Sequence, residues 1–151
     1  MILTRSKPWA LSLLAVPFFL ACNGPASEVT EPVLEVRPGV LQFYDDLLQV
    51  QLPATASVGA PITVTVRTYG GGCIRMGPTS TSVRGLVAVI EPLDSVVSWL
   101  PPNWACTAEL RLLEHEATVQ FAESGAATVR ILGWREPGDS PLSVERTIVI
   151  Q

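Results

Sequence analysis

The chain has 151 residues, with 14 Asp and Glu against ten Lys and Arg, and a formal net charge of −4. An acidic chain without a basic stripe argues against nucleic acid as a partner. A single histidine excludes a blue-copper site, which needs two His and a Cys.

The first 22 residues have the make-up of a secretory signal. Arg5 and Lys7 form a basic start, an apolar run extends from Pro8 to Ala21, and Cys22 follows a small residue. The run is too short for a membrane-spanning helix, which needs roughly 20 residues. Pro17 interrupts it near its end, which suits a cleaved signal better than a lasting helix. Residues Phe19-Leu20-Ala21-Cys22 resemble a bacterial lipoprotein signal, although leucine is commoner than Phe19 at that place. The resemblance implies cleavage before Cys22, several acyl chains on that cysteine and a domain anchored to the membrane of the cell envelope; with no cofactor-binding motif in the chain, no cofactor is expected. One chain alone would hold only marginally. Asn23 stands where Asp would signal inner-membrane retention, which favours an outer-membrane or periplasm-facing location. An ordinary cleaved signal with an incidental cysteine is the rival reading.

Residues 1–21 are thus expected to be the signal and 22–32 the lipidated cysteine and a tether. The tether is small, polar and proline-bearing, with an r.m.s. reach of roughly 17 Å for about ten residues. The domain is then 33–151. All 14 acidic residues lie beyond residue 21 against eight Arg and no Lys, so the net charge of residues 22–151 is about −6. An odd cysteine count calls for an explanation. With Cys22 taking lipid, Cys73 and Cys106 remain as a disulfide pair in an oxidising compartment, two free buried thiols being the alternative.

Strand signals dominate the domain. Weak candidates lie at 33–36, 40–44 and 48–52. Ile62, Val64 and Val66 then alternate cleanly with Thr63, Thr65 and Arg67. Residues 82–91 form one run that is apolar on both faces, as a central strand requires. Residues 108–113 and 117–121 give two more candidates, 128–132 another, and the chain closes on Arg146-Thr147-Ile148-Val149-Ile150. Turn signals separate them at Arg37-Pro38-Gly39, Val58-Gly59-Ala60-Pro61, Gly70-Gly71-Gly72, Ser124-Gly125 and Pro137-Gly138-Asp139. About seven to nine short strands at this spacing predict an all-β, two-sheet antiparallel sandwich. The segment Val58 to Val66 and the closing run Val144 to Ile150 resemble strands of bacterial immunoglobulin-like domains. That names an architecture and no activity.

Chemistry-bearing patterns are sparse. His115 lies in Leu113-Glu114-His115-Glu116, near the junction of two strand candidates. In an extended chain Glu114 and Glu116 share one face and His115 points to the other, so the local trio cannot bind a metal by itself. A loop or edge histidine bonded to a neighbour is the plain reading; a metal site or enzyme using His115 is the rival. Asp45-Asp46 reads as a solvated turn. Gly70-Gly71-Gly72 lacks the Lys-Ser/Thr of a phosphate cradle and reads as a loop needing positive φ beside the disulfide. The most suggestive surface is Trp99-Leu100-Pro101-Pro102-Asn103-Trp104-Ala105-Cys106, with the adjoining loop 70–80. Rigid aromatic loops bind proteins or glycans; the alternative is that both Trp cover the core and pack on the disulfide. Trp134 either extends this patch or caps the core. The expectation is a non-enzymatic binding or structural domain with a protein or glycan partner. A protease-inhibitor-like domain is the second class.

Overall fold

A computed structural model describes residues 31–151; the signal, Cys22 and most of the tether lie outside the described residues. Ten strands and no helix are found among them: β1 Val33–Pro38, β2 Val40–Phe43, β3 Val50–Gln51, β4 Thr55–Ala56, β5 Ile62–Gly70, β6 Ile74–Arg84, β7 Val87–Trp99, β8 Arg111–Val119, β9 Gly125–Glu136 and β10 Ser140–Ile150. They form one curled, mixed sheet in the order β1-β7-β9-β2-β5-β3. β6 is added on β7, β8 on β5, β10 on β9 and β4 on β10.

The all-β expectation holds, but a purely antiparallel pairing does not. β9–β10, β5–β8, β6–β7 and β1–β7 are antiparallel, whereas β7–β9, β2–β9 and β4–β10 are parallel. The parallel contacts follow from how the chain travels. β1 pairs with β7, then β2 leaves it and runs beside β9.

Period-two burial builds the core. Ile62, Val64 and Val66 of β5, Ala88 and Ile90 of β7, Ala117 and Val119 of β8, and Ala127, Val129 and Ile131 of β9 point inward. Val144, Ile148 and Ile150 close it from β10, with Phe121 beneath. Each is at most 5% exposed, and each of the Val, Ile and Phe side chains contributes about 1.5–3 kcal/mol through burial. The outer face carries charged rungs: Arg67 pairs with Glu114 and Arg130 with Glu145, worth about 0.2–1 kcal/mol apiece at the surface.

Three stretches depart from the sequence reading. The run 82–91 is broken by a Gly85-Leu86 hairpin turn, with Arg84 opposite Val87. Residues 74–80, read as part of a loop, form β6 together with 81–84. The two candidates either side of His115 are one strand, β8; Leu110 and Leu112 are exposed, while Leu113, His115, Ala117 and Val119 face inward. Its true phase appears only when the histidine is counted as a core residue.

Arg37-Pro38-Gly39 is a crossover rather than a hairpin turn. The Gly39 N–H donates to Pro92 O (2.8 Å) and its carbonyl accepts from Trp134 N–H (3.0 Å), so one residue bridges β7 and β9. A Cβ there would strike Thr68 Cγ2 and sit 2.8 Å from Asp94 Oδ2. Gly39→Ala is therefore expected to lower stability by about 1–3 kcal/mol through overpacking, read as a lower urea midpoint with an unchanged slope.

Candidate functional site

The Cys73–Cys106 disulfide joins the β5–β6 turn to the β7–β8 connection, with Cα atoms 5.1 Å apart. Gly71 and Gly72 take φ of +115° and +57° beside it, as the glycine triplet predicts. The next feature of the long connection is a tight turn, closed by Trp104 N–H donating to Pro101 O (3.1 Å).

Trp104 is 60% exposed and Trp99 is 42% exposed, so neither covers the core. Beneath Trp104 lies the outer face of β1, β7 and β6. Leu34 sits opposite Val97, and Val36 and Arg75 sit on either side of Ser95, which places them on one face. Together with Glu31 and Pro32, the side chains of Leu34, Arg75, Val97 and Trp104 line a groove of about 370 Å³. A second groove of about 180 Å³ continues from it toward Cys73 and Leu100. The walls are indole, proline ring and aliphatic carbon; a guanidinium and a carboxylate supply the charge. Such a groove takes a flat apolar or partly polar group and orients it by a few polar contacts.

The structure does not gather the three tryptophans. Trp99 lies opposite Val33 at the end of β7 and does not line either groove. Trp134 is half-buried on β9 and lines a separate groove of about 290 Å³ with Pro38, Leu132 and Pro141. Leu34 belongs to the site but escapes the sequence reading, and Arg75 lies in the stretch 70–80 that is expected beside this surface as a loop but forms strand β6. Arg75 sits in a stretch that Gly77 and Pro78 disguise as a loop, and Leu34 lies in a weak strand candidate with no chemical marker.

His115 is neither in a loop nor solvent-facing: its side chain is 1% exposed. Its Nε2 lies 3.0 Å from Asp94 Oδ1 and 3.2 Å from Thr68 Oγ1, and its Nδ1 lies 3.2 Å from Thr79 Oγ1. One polar side chain thus comes from each of β5, β6, β7 and β8. Nε2 meets the carboxylate and Nδ1 the Thr79 hydroxyl, so both ring nitrogens have a hydrogen-bond partner. A histidine between a hydroxyl and a carboxylate has the order of a nucleophile, base and orienting acid. Here Thr68, Asp94 and His115 are at most 2% exposed, and the grooves described above are lined by other residues. The cluster is built as a bracket between strands. Among the described residues Asp94 Oδ2 has no hydrogen-bond partner.

Asp46, in the expected acidic turn, accepts a hydrogen bond from Tyr69 OH (3.0 Å). Partial burial raises the Tyr69 pKa, and the hydrogen bond and charge of Asp46 push it the same way. Because the folded value is the higher one, this contact supports the fold below the ordinary tyrosine range and is lost only as alkaline pH ionises the phenol. Among the described residues no group of three or more His, Cys, Asp or Glu is placed to hold a metal ion.

No protein-family model, curated protein or solved structure matches the chain. The functional reading therefore stands on its geometry and its N-terminal sequence.

Removing one member of a buried pair leaves the other uncompensated, at a cost of about 3–5 kcal/mol. His115→Leu is expected to destabilise by that amount. Asp94→Leu combined with His115→Leu should recover much of it, which a double-mutant cycle in urea would read.

Proposed function

We propose that this chain is an envelope lipoprotein anchored through Cys22, and that residues 33–151 form a non-enzymatic binding domain of the broad immunoglobulin-like sandwich type. Its partner is a protein or a glycan, taken on the face around Trp104. The observation that carries the binding role is the exposed Trp104 standing over the Leu34–Val97–Arg75 groove. A large aromatic left in water, with an apolar wall beneath it, is what the centre of an interaction site requires. The disulfide supports the same reading, because a loop held in place loses less freedom on binding.

The anchor rests on Phe19-Leu20-Ala21-Cys22 and the short apolar run before it. The sandwich reading is supported by the β5–β8 pair and the β9–β10 hairpin, both antiparallel, sharing one core. The first described residues, Glu31 and Pro32, line the Trp104 groove. The anchoring segment thus enters the domain at the binding face, and a partner held there would be held near the membrane.

Two measurements test this reading. Intact mass of the protein from native membranes should begin at Cys22, carry acyl chains and gain two hydrogens on reduction of Cys73–Cys106. A Trp99→Ala, Trp104→Ala chain should keep its circular dichroism and melting temperature yet lose partner capture on intact cells. Retained capture by that chain would refute the Trp104 face, and a mass without acyl groups would refute the anchor.

A further inference from the structure

β1 has a property that the binding face does not use. Among the described residues it is the terminal strand of the sheet path and pairs only with β7, which leaves its other edge open there. It is not a blunt edge. Val33, Leu34 and Val36 are 52%, 57% and 56% exposed, and Glu35 and Arg37 are exposed too. Both faces of this strand meet solvent while its backbone offers unpaired donors and acceptors. Such an edge is a template for another strand.

The charges say which strand fits. Glu35 and Arg37 flank Val36, and neither takes part in an ion pair among the described residues. Lay a second β1 antiparallel along the open edge with Val36 opposite Val36 of the second copy. Glu35 then stands opposite the copy's Arg37, and Arg37 opposite its Glu35. Leu34 meets the copy's Pro38 at each end. Shifting the two-fold to Glu35 or to Arg37 sets like charges opposite one another, which is unfavourable. Within β1 only the register centred on Val36 makes two opposite-charge pairs, and it needs no second kind of partner.

We infer that β1 is a self-association edge, through which two copies of this chain form a two-fold dimer with one continuous sheet across the β1–β1 junction. The interface is isologous, since the same five residues, Leu34 to Pro38, serve on both sides. Leu34 lines the Trp104 groove as well as belonging to β1, so dimerisation brings two such grooves onto one sheet, on either side of the axis. The inference is independent of the lipid anchor.

The test uses the full-length chain in its own cells. Val36→Cys places a thiol on the axis, facing its own copy. Directly opposite residues in an antiparallel pair have Cα atoms about 4.5–5.5 Å apart, within the range a disulfide spans. The expected result is a disulfide-linked dimer on a non-reducing gel, well above that of Val58→Cys, an exposed control in the turn before β5. Adding Glu35→Arg should cut the linked fraction about tenfold, by turning both attractive pairs into repulsive ones. Adding Arg37→Glu to that chain should restore it, because the swapped charges are again opposite. Melting temperatures of all variants verify folding. A Val36→Cys chain linked no better than the control would overturn the inference. So would a linked fraction indifferent to Glu35→Arg, or linkage chiefly to a different protein.

Discussion

The arrangement of strands in this domain turns on the contact between Asp94 and His115. These side chains sit on β7 and β8, which are not hydrogen-bonded to each other, and they meet at 3.0 Å inside the core. Burying two ionisable groups is costly unless geometry and further hydrogen bonds offset the lost water. Thr68 and Thr79 supply those bonds from β5 and β6. Among the described residues Asp94 Oδ2 has no hydrogen-bond partner. A network of this kind disfavours alternatives as much as it stabilises the native fold. Moving any one of four strands by one residue turns its polar side chain outward and strands the others without partners. Gly39 belongs to the same constraint, because the crossover from β1 to β2 must pass within contact distance of Thr68 and Asp94.

The polar bracket also divides the domain into two ends. Below it, β5, β7, β8, β9 and β10 share the continuous apolar core. Above it, the inward alternation gives way to glycine turns, the β7–β8 connection and the exposed part of β1. Little apolar burial is available there to hold a long connection in place. The Cys73–Cys106 disulfide takes over that task. It links residues 33 apart in sequence, a constraint on the unfolded chain worth roughly 3–4 kcal/mol in the loop-entropy account. Because the connection is held covalently, Trp104 need not be buried to be ordered.

The sequence showed the parts of this structure that follow a simple period. The inward faces of β5, β9 and the end of β10, the glycine turns and the cysteine pair all follow from alternation and turn chemistry. What escaped it are the places where a tertiary contact overrides a local signal. His115 looks like a break between two strands because histidine is seldom counted with the core. Only Asp94, 21 residues away in sequence, gives it an inward place. Gly77 and Pro78 look like a loop, yet β6 takes them where its ladder with β7 shifts register between Met76 and Thr79. The parallel contacts of β2 and β4 are invisible for another reason: two- to four-residue strands carry too few side chains to state a direction.

Why β1 can stay exposed on both faces follows from the same division. Its position is fixed by six backbone-paired residues along β7 and by the Gly39 crossover, not by side chains in the core. Exposing Val33, Leu34 and Val36 therefore gives up burial that the fold does not need, and a change at these positions is felt at the surface before it is felt in stability. The Trp104 groove is built on that same margin of the sheet, from Leu34 and Val97. The apolar core and the buried bracket can stay rigid while this end presents aromatic, apolar and charged groups to solvent. A site on a paired strand and a disulfide-held turn has its geometry set before any partner arrives, which lowers the ordering cost of binding.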